Sequence, residues 1–412
     1  MAAFYDALET RSPEARLARL YDALPAQVDR ARAHSPAYAR LLGGLDPARI
    51  TDGVALATLP VLRKSELAAL QREAPPFGGL ATRPTGLMGR VFQSPGPIYE
   101  PAARRPDYWR LARALFAAGF RAGDLIHNAF PYHFTPTGAM VDSGAAALGC
   151  CVFPAGPGDT ELQVLAIADL QPNGYTGAPG FLLTLLERAA ELGTPSGSLR
   201  KALVSGEPLT GGLREALRGH GVAVRQCYAT ADLGLIAYET SAEDGLVIDE
   251  QVIVEIVRPG TGEPLPDGEV GEVLVTTLNP DYPLIRFATG DLSSVLPGYS
   301  ACGRSNRRLR GWLGRADQTT KVNGLFVHPG QIAEVLKRFP DLGRGRLSVG
   351  RVGRADAMWL RCELSGPPAP GLAERVAGVL RDITRLHGVV EFVAPGSLPN
   401  DGRLIDDVRE HG

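Results

Sequence analysis

The sequence predicts an α/β protein: a large N-terminal α/β domain with parallel sheets and a small barrel-like β part, followed by a small α+β domain of order βαββαβ. Three observations carry this expectation. From Pro106 to about Thr230, helix-period and strand-like runs alternate through short loops, the pattern of a parallel sheet covered by helices. Beyond about Gly245 the runs become strand-like and are split by turn chemistry such as PGTGE and PDGE. From Gly314 onward, strand, helix, strand, strand, helix and strand follow one another.

The elements follow in order. Residues 12–42 carry Leu17, Leu20, Tyr21, Leu24 and Val28 at helical spacing, so the chain opens helically. LATLPVLRKSEL reads as a loop leading into a helix, with Ser65 as N-cap. DYWRLARALFAAGF is a helix, DLIHNAF a short buried strand, PTGAMVDSGAAALG a helix of small residues and CCVFPAG a second strand. ELQVLAIADL (helix), NGYTGA (strand), FLLTLLERAAEL (helix), KALVSGEP (strand and turn), LREALRGHG (helix) and AVRQCYA (strand) continue the alternation. VIDEQVIVEIVRP, GEVGEVLVTTL and YPLIRFATGD read as antiparallel strands, with a barrel as the expected arrangement. KVNGLFV, HPGQIAEVLKRF, RLSVGRVG, AMWLRCEL, LAERVAGVLRDITRLHG and VVEFVAP make the C-terminal unit. The boundary falls in GWLGRADQ and divides residues 1–313 from 314–412.

Composition narrows the function classes. At roughly 100–200 residues per domain, 412 residues make two or three domains. An apolar fraction of 44% supplies a large core, and a net charge of −2 offers no pull towards nucleic acid or acidic membranes. Five cysteines (Cys150, Cys151, Cys227, Cys302, Cys362) form no CxxC pair, which fits a reducing cytoplasm. With no signal-like N-terminus and no membrane-length apolar run, the expectation is a soluble cytoplasmic protein. The 49 glycines and 33 prolines are scattered, so they punctuate many short elements instead of forming a linker.

Several stretches carry a resemblance when taken in order: HSPAYARLL and LPVLRKSEL early, LVSGEPL in the middle, then YPLIRFATGDLSSVLPG, CGRSNRRLRGWLGRAD and KVNGLFVHPGQIAEVL. Over nearly its whole length the chain resembles the phenylacetate–CoA ligase group of adenylate-forming enzymes. That resemblance implies a mobile C-terminal lid domain, a homodimer and the cofactors ATP/AMP, Mg²⁺ and coenzyme A. It also implies a two-step reaction: an aromatic or arylacetic carboxylate attacks the α-phosphorus of ATP, and a thiol then displaces AMP.

The same resemblance assigns roles residue by residue. Asp291 of ATGD accepts the ribose hydroxyls, a task suited to an acceptor-only carboxylate; the plainer alternative is a turn aspartate. Arg315 of GRAD lies near ribose and phosphates, and Asp317 sits at the hinge; the alternative is an exposed charged loop. Ser205, Gly206, Glu207 and Pro208 end a strand and pack on adenine, or form an ordinary strand-to-helix turn. Tyr228, Ala229 and Thr230 begin the run YATAD, in which the tyrosine stacks on adenine. The family's hydroxyl position is Ala231 here, with Thr230 as the substitute, and its Mg²⁺-binding glutamate is the shorter Asp232. A buried strand end is the competing reading of this run.

The largest departure is VFQSPGPIYE, which stands where the family has a loop like SSGTTGKP. Ser94 and Gly96 are the remaining cradle parts, while Pro95 and Pro97 offer no N–H to a phosphate. Near the C-terminus GSLPNDGRLIDD lacks the family's lysine; either Arg403 is its stand-in or that function is missing, and Lys321 is a second candidate cation or a structural lysine. Tyr132, His133 and Phe134, with Gly177, Ala178 and Pro179, are candidate walls of the acid pocket, against core packing as the alternative. Cys302 has no neighbouring cysteine and the seven histidines are scattered, so no zinc site is expected. An ATP-dependent ligase is the leading function. An ATP-independent thioester-handling acyl transferase, or a non-catalytic AMP- or acyl-CoA-binding protein, are the alternatives.

Overall fold

A computed structural model describes residues 4–95, 97–323, 325–352, 355–400 and 403–409. Its strands are β1 (Leu62–Arg63), β2 (Arg90–Ser94), β3 (Ile98–Ala102), β4 (Leu125–Asn128), β5 (Cys151–Pro154), β6 (Gly174–Gly177) and β7 (Lys201–Val204). Then come β8 (Ala223–Thr230), β9 (Gly234–Glu239), β10 (Leu246–Ile248), β11 (Val252–Val257), β12 (Gly271–Thr277), β13 (Phe287–Ser293), β14 (Val295–Leu296) and β15 (Arg308–Leu309). The last are β16 (Thr320–Val322), β17 (Leu325–Val327), β18 (Leu342–Val352), β19 (Ala355–Leu364), β20 (Val389–Val393) and β21 (Ile405–Asp407).

The chain forms two compact units. The larger comprises Met1–Val257, Gly262–Thr289 and Ser294–Gly311; the smaller comprises Arg258–Thr261, Gly290–Ser293 and Trp312–Gly412.

The larger unit is built on a nine-stranded sheet of order β14-β15-β10-β9-β8-β7-β6-β4-β5. Strands β4 to β8 pair in parallel, and β8 to β10 antiparallel. Helices cross between the parallel strands as the sequence predicts. Pro179–Glu191 shows why: Leu182, Leu185, Leu186 and Ala189 recur on one face and are buried, and Pro179 at the first turn has no N–H to lose. The order reverses between β4 and β6, since β5 lies on one side of β4 and β6 on the other. In open α/β sheets the crevice at such a reversal, beyond the carboxyl ends of the strands, is where ligands bind.

The antiparallel strands do not close into a barrel. β11, β12 and β13 join β1 in an open four-stranded sheet of order β1-β13-β12-β11, while β10 joins the large sheet. Alternation specifies a strand but not its closure, and β1 covers only Phe287 and Ala288 of β13. Helix Pro13–His34 lays Leu20, Leu24, Val28 and Ala31 into the core that includes Val254, Val273 and Phe287.

Two local expectations are also corrected. Ser65 is not an N-cap: Lys64–Glu66 forms a 3₁₀ turn, and the helix Leu67–Glu73 that follows has no side-chain cap bond. The helix expected over DYWRLARALFAAGF spans only Leu111–Ala117, because Asp107 and Arg110 take left-handed backbone angles of 45° and 65°.

In the smaller unit, KVNGLFV is a hairpin of β16 and β17 rather than one strand. The remaining order is helix Pro329–Lys337, β18, β19, helix Leu372–Thr384, β20 and a further strand, β21, in a sheet of order β20-β19-β18-β21. Both helices bury apolar faces, Ile332 with Val335 and Val376 with Leu380, against Leu347, Val349, Met358 and Leu360 of the sheet. Among the described residues, no helix is long and apolar enough to cross a membrane.

Candidate functional site

VFQSPGPIYE folds as the hairpin of β2 and β3, with Ser94 opposite Ile98 and Phe92 opposite Glu100. It is not a Gly-rich loop opening a helix. Gln71 clamps its outer strand by accepting from Tyr99 N (2.7 Å) and donating to Tyr99 O (2.8 Å). Gly96 lies outside the described residues. The hydroxyl of Ser94 donates to Glu100 Oε1, so the remaining cradle side chain is engaged by a carboxyl two pairs along the hairpin.

Glu100 is 2% exposed, and its Oε2 has no partner. Burial pushes its carboxyl up to about 8; the charge of Asp232 adds to this, and Ser94 and Lys64 oppose it. Asp232 occupies the turn between β8 and β9. Its Oδ2 takes the Lys64 ammonium at 2.6 Å, and its Oδ1 is buried without a partner. The hydroxyl of Tyr282 is orphaned in the same way; burial, then Asp232 and Glu100, hold its proton on well above the usual phenol range. Sequence reasoning missed Lys64, Glu100 and Tyr282. Lys64 stood within the matched stretch LPVLRKSEL and Glu100 closes the hairpin text, but neither shows its partner.

Other predicted residues cluster at the carboxyl ends of the parallel strands. Tyr228, half-buried on β8, donates its hydroxyl to Thr289 Oγ1 on β13 at 3.2 Å. Ala229 and Thr230 finish β8, and Thr230 Oγ1 accepts from Leu233 N at 3.2 Å, which closes the turn that bears Asp232. Ser205 Oγ donates to Cys227 O at 2.9 Å, tying the turn after β7 to β8. Gly206 supplies the left-handed angle of that turn, φ 89°. Glu207 and Pro208 are exposed, and Glu207 Oε1 accepts from Gly180 N at 2.6 Å. A carboxylate there complements the amino end of helix Pro179–Glu191. The SGEP turn thereby meets the segment of Gly177, Ala178 and Pro179, where Ala178 O accepts from Tyr175 at 3.1 Å.

Tyr132 follows β4 and donates to Asp142 at 2.7 Å. His133 and Phe134 are exposed; Phe134 has φ 61°, and its carbonyl accepts from Gln93 N of the hairpin at 2.8 Å. Asp142 also borders a cavity of about 490 Å³ that has Trp109, Ala102 and Ala139 in its apolar wall and Arg90 and Arg104 beside them. Trp109 O accepts from Leu235 N at 2.9 Å, so this wall is anchored at the start of β9.

In the smaller unit, Asp291 Oδ1 accepts from Arg315 Nη1 at 3.0 Å and from Trp312 Nε1 at 3.1 Å. Gly290 has φ 75°, and a Cβ there would lie 2.6 Å from Arg315 Nη2, which explains the glycine of ATGD. Arg315 also reaches Asp317 at 3.5 Å. Leu404 N donates to Gln318 Oε1 at 2.9 Å, so the segment of exposed Arg403 is fastened beside the Ala316–Gln318 turn. Lys321 lies in β16, and its side chain is outside the described residues. Trp312 is a further residue that the sequence did not single out.

Among the described residues, no three His, Cys, Asp or Glu side chains are grouped to hold a metal. The chemistry present suits Mg²⁺ better than zinc, because Mg²⁺ takes one or two carboxylates and fills the rest with water and phosphate.

Comparison with known proteins identifies the family. Residues 108–279 match the family model described as AMP-binding enzyme. The chain is 32% identical over 381 residues to a phenylacetate–coenzyme A ligase of Thermus thermophilus, covering 87% of this chain and 84% of that one. A protein of the same name from Escherichia coli is 32% identical, with 87% and 85% covered. Among solved structures, an open 2-hydroxyisobutyryl-CoA ligase, in complex with its acyl-AMP and CoA, superposes with TM-score 0.87 at 24% identity, covering 98% and 95% of the two chains. An anthranilate–CoA ligase with anthranoyl-AMP gives TM-score 0.52 at 18% identity, covering 76% and 65%. The chain therefore belongs to the phenylacetate–CoA ligase family of adenylate-forming enzymes, the AMP-forming carboxylate–CoA ligases.

Proposed function

We propose that the protein activates an aromatic or arylacetic acid with ATP and passes the acyl group to coenzyme A. The observation that carries this reading is the bond from Tyr228 to Thr289, which ties the tyrosine run on β8 to the FATGD run on β13. Tyr228 offers a ring face to adenine. Asp291, already an acceptor for Trp312 and Arg315, takes the ribose hydroxyls. Arg315 serves the phosphate and, with Asp317 and Arg403, the change between half-reactions. The name of the Thermus and Escherichia relatives supports an arylacetic acid. So does the indole-walled cavity with arginines beside it, a suitable chamber for an aromatic carboxylate.

Asp232 holds Mg²⁺, for which its orphaned Oδ1 is a fitting ligand. When bound, the cation supplies charge neutralisation to the pyrophosphate end. Lys64 supplies a cation there, reaching Asp232 where the hairpin has no lysine of its own.

The engagement of Ser94 by Glu100 favours a second reading, in which the chain runs only the thioester half-reaction without ATP. Pyrophosphate release with a panel of aromatic acids separates the two. Release that needs both acid and ATP supports the ligase; CoA exchange on aryl-CoA without ATP, and no pyrophosphate, replaces it with the second.

A further inference from the structure

Among the buried oxygens of the larger unit that lack partners, Glu100 Oε2, Asp232 Oδ1 and the Tyr282 hydroxyl belong to groups that act on one another. The charges of Asp232 and Lys64 act on Glu100, and those of Asp232 and Glu100 act on Tyr282. The residues are 2%, 8% and 1% exposed, so water does not satisfy them freely. A buried polar atom left unpaired costs about 1–3 kcal/mol, and such groups in native structures generally have a purpose. Charge counting points the same way. Lys64 is paired with Asp232 and its charge also acts on Glu100, so ionising both carboxyls leaves one negative charge uncovered. The oxygens are hard donors with no sulfur or imidazole among them, a set for Mg²⁺ or Mn²⁺ rather than zinc.

We infer that Glu100 is a second carboxylate ligand, beside Asp232, for the divalent cation at the pyrophosphate end of the nucleotide. This rests on the ligase reading. It also accounts for the hairpin. Pro95 and Pro97 cannot donate to phosphate, so a cation gripped by two carboxylates takes over positioning that backbone amides and a lysine would otherwise provide. Ser94 then orients the carboxyl of Glu100 instead of touching phosphate.

The test uses the full chain and Mn²⁺ alone, followed by electron paramagnetic resonance of free against bound metal. Circular dichroism and metal-free thermal unfolding establish that each variant folds. The expected result is that Glu100→Gln and Asp232→Asn each weaken Mn²⁺ binding by at least about tenfold, whereas Ser94→Ala, which loses only the orienting bond, weakens it less. Equal Mn²⁺ affinity in the wild type and Glu100→Gln overturns the inference, as does a wild type that binds no Mn²⁺. Acid- and ATP-dependent pyrophosphate release by the wild type is measured separately. If release persists while Glu100→Gln binds Mn²⁺ normally, only the role of Glu100 falls. If release is absent, the ligase reading falls with it.

Discussion

Lys64 Nζ lies 2.6 Å from Asp232 Oδ2, and the carboxylate side chain is wholly buried while the lysine side chain is 27% exposed. The pair spans 168 residues of sequence, so it fastens the N-terminal segment to the β8–β9 turn. Its value is asymmetric: a buried ion pair adds little net stability, but losing one partner strands the other. Lys64→Met is therefore expected to destabilise the chain by about 3 kcal/mol, the lower end for a broken buried pair, given the partial exposure of the lysine. Adding Asp232→Asn removes the stranded charge and recovers much of the loss. Urea unfolding of the two singles and the double measures this coupling; additive effects would mean that the pair contributes nothing jointly.

Asp291 is expected to govern nucleotide binding. A ligand held only by the native state raises apparent stability by about 2.7 kcal/mol at one hundred times its Kd. Asp291→Ala should abolish the rise in melting temperature that AMP produces. Trp312→Phe, which removes one donor to the same oxygen, should weaken AMP by about 1 kcal/mol and leave a smaller shift. A full AMP shift in Asp291→Ala would assign the ribose elsewhere.

How far the sequence reached follows from the range of the interactions involved. Local pattern carries the parallel half of the large sheet: the face of Leu182, Leu185, Leu186 and Ala189 is visible within the 13 residues of one helix, and the turn at Gly206 is as local. Motif text singled out Tyr228, Asp291 and Arg315 as candidates. It did not reveal Lys64, Glu100, Tyr282 or Trp312, because each acquires meaning from a partner distant in sequence. The open sheet of β1, β11, β12 and β13 failed for a related reason. Alternation at period two says which residues face the core, while closure depends on which edges meet.

The first residues illustrate a buried network that text could not show. Glu9 is fully buried, 3.0 Å from both Arg113 and Arg304, and accepts from Tyr238 at 3.1 Å. Three distant elements thus converge on one carboxylate in the larger unit. Glu9→Gln keeps the shape but removes the charge, and should cost about 3 kcal/mol in chemical unfolding, with a cooperative transition retained. A change below about 0.5 kcal/mol would place Glu9 among ordinary surface positions.

His328 gives the smaller unit an acid-sensitive element. It precedes helix Pro329–Lys337, and burial pushes its imidazole down to about 4 from an ordinary value near 6.5. The folded state therefore favours the neutral ring, and the unfolded chain binds the proton more tightly. Between these two values the unfolded state carries more protons, so stability rises with pH across that window and is lost as pH falls from 6.5 towards 4. The full effect is at most about 3 kcal/mol. His328→Asn supplies a residue suited to the start of a helix without a titrating ring, and should flatten the stability profile over the window. Urea midpoints for both proteins at closely spaced pH values measure the difference; parallel profiles would show that the ring is solvated and titrates normally in the folded chain.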